Sequence, residues 1–322
     1  MPDYLAAVAI STHNRKDELK TAVDSCLAQS LGERLQVVVV DDGSTDGTSE
    51  MLRATYGHLP NVRLDAKHPG IGLIGERNRF PELCDAPVIV SMDDDAIFES
   101  KHTVEQTLAD FEGASVKEAE GRVAAVAIPY IDVNIRPGVV QQSPPAHDDG
   151  PGRLYAAEQY RGTAHAILKE PFIRVGRYRA QLFRQGEEQD LSIRLYNAGY
   201  VVVLGTADPI HHLESPKRSK PAIYRFTARN NLWFAWHNVP KPAFAKHALG
   251  GALNLLVDGL THPGRLFPRV EGVWQGFGGM LGSQRAERDP VSMAAYRLFR
   301  RLRKGGPVPI EDVLDELPPL ES

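Results

Sequence analysis

The stretch that most constrains this chain is Val88-Ile-Val-Ser-Met-Asp-Asp-Asp95. Pro87, Val88, Ile89, Val90 and Met92 form a short apolar run of the kind that makes a buried strand. The run ends in three consecutive carboxylates, Asp93, Asp94 and Asp95. Like charges side by side repel, and burying them unpaired costs several kcal/mol, on the order of a domain's net stability. A polycation is therefore expected there at least part of the time. In open α/β sheets, ligands gather at the carboxyl ends of the strands. Alternation sends Asp93 and Asp95 to one side and Asp94 to the other. Two carboxylates on one side suit a hard divalent ion, Mg²⁺ or Mn²⁺, with a substrate's phosphates completing the shell. An Asp triplet is ordinarily a solvated turn; the strand leading into this one favours a site.

The flanking segments repeat one pattern. Leu5 to Ile10 reads as a strand, Ser11-Thr-His-Asn-Arg15 as a loop, and Asp17 to Gln29 as a helix with Leu19, Val23, Cys26 and Leu27 on one face. Leu35 to Val40 is a second strand running into Asp41-Asp-Gly-Ser-Thr-Asp-Gly47, whose end offers N-caps for a helix over Thr48 to Ala54. Asn61 to Leu64 is a third strand, followed by a Gly-rich segment and a helix near Glu76 to Leu83. This alternation predicts a mostly parallel sheet with helices on both faces.

Composition sets bounds on function. Of 322 residues, 42% are hydrophobic and 24% charged, which describes a globular protein with ample core. A net charge of −4 with mixed signs gives no general attraction to nucleic acid. Cys26 and Cys84 stand alone and read as reduced, buried thiols of a cytoplasmic protein. No signal peptide is evident, and no segment approaches the roughly 20 apolar residues of a membrane span.

Gly70-Ile-Gly-Leu-Ile-Gly75 satisfies the G-x-G-x-x-G pattern of a dinucleotide fingerprint. Its context argues against that reading. Five residues, Asp65 to Pro69, separate it from the strand, and Pro81 cuts the following helix short.

Four ordered motifs carry a resemblance: Val8-Ala-Ile-Ser-Thr-His-Asn-Arg15, Val37-Val-Val-Val-Asp-Asp-Gly-Ser-Thr-Asp46, Gly75-Glu-Arg-Asn78 and Met92-Asp-Asp-Asp95. Together they resemble the family-2 glycosyltransferases of GT-A fold, in which a nucleotide-diphospho-sugar lies across these loops. The resemblance implies an α/β GT-A domain over residues 1–215, its nucleotide-sugar half ending near 100. By its own pattern 216–322 is a C-terminal helical extension with a disordered tail, the Pro-rich, acidic stretch from Gly305 to Ser322 being partly disordered or paired with the basic helix before it. It also implies Asp95 as principal metal ligand with Asp93 as auxiliary, and Asp94 or Asp93 at the ribose hydroxyls. Asp42, perhaps with Asp41, would accept from the base, and Ser11, Thr12, Asn14 and Arg15 would border the nucleotide. Asp46 reads instead as a helix cap. Arg77 would approach the diphosphate or pair with an Asp of the triplet. The donor is expected to be a UDP-sugar and the ion Mn²⁺ or Mg²⁺.

Further along, Gly186-Glu-Glu-Gln-Asp-Leu-Ser-Ile-Arg-Leu195 resembles the family's segment Glu-Asp-x-Asp-Leu-x-x-Arg, in which the second acid is the general base. Glu188 stands at that place, one methylene longer than the usual Asp. Glu187 and Asp190 are the other catalytic candidates, although acids in a first helical turn also serve the macrodipole. An inverting transfer needs such a carboxylate opposite the leaving group, to take the acceptor hydroxyl's proton. His211-His212 follows a strand over Tyr200 to Leu204, where the family often carries a metal- or phosphate-binding histidine; a strand would point the two oppositely. Arg229-Asn230-Asn231 also resembles a family signature.

The rest says less. Val123 to Ile128 is another strand, Arg136 to Arg153 a mobile loop containing His147, Asp148 and Asp149, and Pro216 to Lys220 a basic loop. Val291 to Lys304 is amphipathic and basic, and can lie on an anionic membrane or in a homodimer, although packing on its own subunit is the simpler state. Expected partners are the donor and a glycan, lipid-linked or small-molecule hydroxyl acceptor, in the cytoplasm or at the inner face of a membrane. A nucleotidyltransferase or a non-catalytic nucleotide-sugar-binding protein are the alternatives. The first would want a Gly-rich, basic phosphate loop directly after the first strand.

Overall fold

The computed structural model describes residues 3–112, 119, 121–145, 153–213 and 219–320. His147, Asp148, Asp149 and most of the basic loop at 216–220 lie outside the described residues.

The strands are β1 Ala6–Thr12, β2 Leu35–Asp41, β3 Val62–Ala66, β4 Val88–Asp93, β5 Ala96–Phe98, β6 Val123–Ala127, β7 Tyr130–Asp132, β8 Val140–Gln141, β9 Tyr155–Ala156, β10 Ala164–Leu168, β11 Val201–Leu204, β12 Ile210–His212 and β13 Val308–Pro309. They form a nine-stranded sheet ordered β13-β9-β11-β6-β10-β4-β1-β2-β3 and a four-stranded sheet ordered β5-β12-β7-β8. In the large sheet only β10 and β9 run against the others. β2 and β6 are buried at every residue, as continuous Val- and Ala-rich runs should be when helices cover both faces. The cofactor-like glycine segment leads instead into two short helices, Leu73–Arg77 and Phe80–Leu83, with Pro81 at a helix start where its missing N–H costs nothing.

Register explains where the site forms. β1 lies between β2 and β4, with Thr12 beside Asp41 and Ser11 beside Asp93, so three strands finish level. β10 runs antiparallel to β4, pairing Ala164 with Met92. The residues just before it, Gly162 and Thr163, therefore arrive at Asp93. In the small sheet, His212 pairs with Ala96 on one side and Asp132 on the other.

Three helices follow, Lys220–Asn238, Lys241–Thr261 and Pro263–Leu281, broken at His262-Pro263 as the sequence suggests. The first and third touch through glycines. A Cβ on Gly276 would come within 2.7 Å of Leu232 Cδ1, and one on Gly272 within 2.9 Å of Ala228 Cβ and into the Arg225 carbonyl. The basic helix Met293–Gly305 buries Tyr296, Leu298, Phe299 and Leu302 against its own subunit. No helix among the described residues is long and apolar enough to cross a membrane.

Of the two states expected for the tail, partial disorder or pairing with the basic helix, its described residues take ordered structure: Val308 and Pro309 pair with β9, and Ile310, Val313 and Leu317 are buried. Those three apolar side chains supply the core contact that the Pro-rich, acidic composition obscures. Glu316 does pair with Arg301 of the basic helix, at 2.6 Å.

The glycine contact gives a test. Gly272→Ala should lower stability by about 1–3 kcal/mol through overpacking. Gly278→Ala, whose Cβ meets nothing within 4 Å, should be neutral or stabilising by up to ~1 kcal/mol. Thermal melts of the two variants should move in different directions; equal losses would remove the packing account.

Candidate active site

The level ends of β1, β2 and β4 open into a cleft of about 890 Å³. Asp93, Asp94 and Asp95 all line it, together with Ser11, Thr12, Arg15, Asp42, Arg77, Glu187, Glu188 and His212.

The three carboxylates take different sets of partners, but not through strand alternation: β4 ends at Asp93, and Asp94 and Asp95 lie in the turn that follows it, where alternation no longer applies. Asp94 turns to Thr12, whose hydroxyl donates at 2.8 Å, and to Arg15 at 3.0 Å. Asp93 accepts from Arg77 at 2.9 Å and from the Thr163 hydroxyl at 2.7 Å. Asp95 meets Arg15 at 2.7 Å and His212 Nε2 at 3.3 Å. The chain thus answers its own charge cluster with two arginines and a histidine. These partners neutralise part of the charge, beside the cation expected there at least part of the time.

The environments set the protonation. Burial pushes Asp94 up to about 7, with Arg15 and Thr12 opposing. Burial acts the same way on Asp95, yet His212 and Arg15 outweigh it and hold that carboxyl well below the usual range. Burial would depress His212, but its bonds to Asp95 and Asp132 raise it to about 9.

Asp93, Asp95 and His212 each present one ligand atom, all within 4.8 Å of one another. Two carboxylate oxygens and an imidazole nitrogen suit Mn²⁺ or Mg²⁺. Asp132 bonds His212 Nδ1 at 2.6 Å and so directs Nε2 at Asp95, the carboxylate–histidine support that ligating imidazoles commonly have. Asp132 carries no signal in the sequence, because it reaches His212 only through the pairing of β7 with β12. His211 points the other way, to Glu99 at 3.2 Å, which excludes it from the cluster.

Arg77 joins the carboxylate edge to the helix Glu187–Asn197. Its guanidinium, 3% exposed, reaches Asp93, the Gly162 carbonyl at 3.0 Å and Glu187 at 3.4 Å. A Cβ on Gly162 would come within 2.7 Å of Glu188 Oε1 and 2.8 Å of Arg77 Nη1, so only glycine lets both approach. Glu187 is buried, and its pKa is raised by burial and then by the neighbouring Glu188. Glu188 is half-buried and lines the cleft.

Four candidates fall outside the cleft lining. Asp190 is buried beneath its helix, bonded to Arg179 at 3.2 Å, Arg194 at 2.7 Å and Asn238 at 2.7 Å. Against burial, the two arginines hold its pKa down, and both oxygens are committed to the scaffold. Asp41 is buried too, accepting from Ser44 N at 2.9 Å and from the Ser49 hydroxyl. Asn14 stitches its loop to the next, accepting from Thr45 N at 2.8 Å. His211 is the fourth. Asp42 does line the cleft, and its carboxylate also accepts from Ile71 N at 2.5 Å and Gly72 N at 2.9 Å, fixing the Gly-rich loop at the rim. Asp46 is structural: it accepts from Thr48 N at 3.1 Å and from the Thr48 hydroxyl, one residue ahead of Gly47, which occupies the N-cap position itself.

This sheet, with its carboxylate-lined cleft at the strand ends, has the fold of the GT-A glycosyltransferases. A mannosyltransferase from Pyrobaculum calidifontis, PcManGT, solved with GDP-Man and Mn²⁺, is 20% identical with a TM-score of 0.54 over 94% of this chain and 80% of that one. Residues 1–349 of TarS from S. aureus give 16% and 0.56, covering 94% and 92%. The chain belongs to glycosyl transferase family 2, whose model matches residues 7–175. A chondroitin synthase of Pasteurella multocida (strain Pm70) is 32% identical over 107 residues, 33% of this chain. A chondroitin synthase of Escherichia coli is 33% identical over 108 residues. The chain spans only 11% and 15% of the length of those two relatives.

Two outcomes follow from the geometry. His212→Ala should abolish Mn²⁺ binding by calorimetry, whereas His211→Ala should leave it within about twofold; equal losses would overturn the assignment of His212. His237, buried against Gln284, is pushed down to about 4 by burial. The unfolded chain takes up that proton near pH 6.5 and the folded chain does not, so the native state loses stability as pH falls from about 6.5 towards 4. The melting temperature of wild type should therefore drop relative to His237→Gln across that window.

Proposed function

We propose that this chain transfers a sugar, from a UDP-sugar in the first instance, to a hydroxyl of a glycan, lipid-linked or small-molecule acceptor, with inversion. The observation that carries this reading is one cleft holding Asp93, Asp95 and His212 beside Glu188, with Arg77 buried between them. Residues 1–215 would be the catalytic domain and 216–322 its helical extension.

The assignment of roles follows from accessibility. Asp42 at the rim accepts from the base's ring N–H, while Ser11, Thr12 and Arg15 border the nucleotide and Asp94 the ribose. Asp93, Asp95 and His212 hold the divalent ion, which supplies positive charge to the leaving diphosphate when bound. Glu188 takes the acceptor hydroxyl's proton as the oxygen attacks the anomeric carbon and the bond to the diphosphate breaks. Glu187, engaged by Arg77, orients that helix start and does not exchange the proton. Asn14, Asp41 and Asp190 serve the scaffold.

The nucleotidyltransferase alternative lacks its basic, Gly-rich phosphate loop: β1 ends in Ser11-Thr12 and runs into His13-Asn-Arg15. Measuring hydrolysis of UDP-, dTDP- and GDP-sugars with and without Mn²⁺ separates a transferase from a binding protein. Glu188→Gln should leave donor affinity nearly unchanged while turnover falls about 10²–10⁴-fold. Near-normal turnover in that variant would remove Glu188 as base.

A further inference from the structure

The loop leading into the helix Glu187–Asn197 has an unusual backbone. Phe183, Gln185 and Gly186 have φ of +64°, +71° and +85°, three left-handed residues within four positions. Two of them are not glycine, and such conformations persist only where the surroundings enforce them. The enforcement is visible. Asn230, 3% exposed, aims its amide Nδ2 at three carbonyls of this loop, Leu182 at 3.0 Å, Arg184 at 2.8 Å and Gln185 at 2.7 Å. Arg229 bonds the Leu182 carbonyl at 2.7 Å while lying over the rings of Phe226 at 4.6 Å and Trp233 at 4.2 Å.

This frame presents one side chain. Phe183 lines the cleft with 53% of its surface exposed, beside Phe226 with ring centroids 5.5 Å apart. Its edge reaches the opposite rim, where a Cβ on Gly72 would come within 3.3 Å of it. Despite these contacts the phenyl ring keeps half its surface open to a polar cleft.

Its neighbours define what it fits. Gln185, Gln189, Asn231 and Thr227 line the same cleft, and Gln189 Nε2 is buried without a hydrogen-bonding partner. A pyranose matches this arrangement: its C–H face packs on an aromatic ring and its hydroxyls pair with side-chain amides. A lipid chain would find too few apolar walls here. Phe183 and Glu188 line the same cleft, so a sugar on the ring shares it with the proposed base.

We infer that the loop Leu182–Gly186 is a preformed shelf for a carbohydrate acceptor, with the Phe183 ring as platform and Asn230 and Arg229 as its positioning residues. The inference rests on the transferase reading for the word acceptor, but the binding it describes is measurable without turnover. Saturation-transfer NMR with methyl pyranosides (gluco, galacto, manno and N-acetylglucosamino), in the presence of UDP and Mn²⁺, provides the test. Wild type should saturate the ring C–H protons of at least one of them. Phe183→Tyr should retain that signal, and Phe183→Ala should weaken affinity about tenfold, with the UDP affinity unchanged. Absence of pyranoside binding to wild type, or equal binding to wild type and Phe183→Ala, overturns the shelf. Loss of UDP affinity in Phe183→Ala would assign the ring to the nucleotide and overturn it as well. If pyranosides bind as described while no sugar nucleotide is turned over, the transferase reading fails and the shelf stands.

Discussion

A single buried cation organises the catalytic face. Arg77 is almost wholly removed from water, and a charge there is tolerable only when anions and carbonyls surround it. Asp93, Glu187 and the Gly162 carbonyl provide that surround, and each comes from a different part of the chain. The same contacts tie the carboxylate edge of β4 to the helix that carries Glu188. Burial opposes the charged guanidinium, but the carboxylates outweigh it and raise its pKa, so the cation is permanent. The site is therefore an electrostatic knot, in which the positions of the acids depend on the base between them.

The reversed strand β10 makes that knot reachable. Were it parallel to β4, its beginning would lie at the far edge of the sheet. Antiparallel, it delivers Gly162 and Thr163 to Asp93 at the ligand edge. The small sheet does the equivalent for His212, placing it between the end of β4 and Asp132. Topology, more than local sequence, brings Asp93, Asp95 and His212 together.

Local signals account for what could be read in advance. The Val- and Ala-rich runs of β1, β2, β4 and β6 announce strands covered on both faces, and Pro and Gly mark the helix breaks. The division of the Asp triplet was expected from strand alternation, but the strand stops at Asp93 and the turn after it places Asp94 and Asp95. Choices between neighbours were not legible locally either. His211 and His212 differ only in which face of β12 they occupy, and that depends on pairing with β5 and β7. Asp190 resembles a catalytic acid until Arg179, Arg194 and Asn238 are seen to consume it. The tail's composition hid three buried apolar residues among prolines and acids. Long-range partners decide these cases, and no window of sequence contains them.

The two margins of the large sheet carry a consequence of their own. β13 ends in Pro309, which has no N–H to offer a further strand. At the opposite margin, β3 carries Arg63 and Asp65, the latter ion-paired to Arg79. Proline and inward-paired charge are the devices by which natural sheets refuse edge-to-edge growth. Nine strands of largely apolar sequence would otherwise be a template for polymerisation. Neither margin of the large sheet is therefore a ready template for a strand of a second copy.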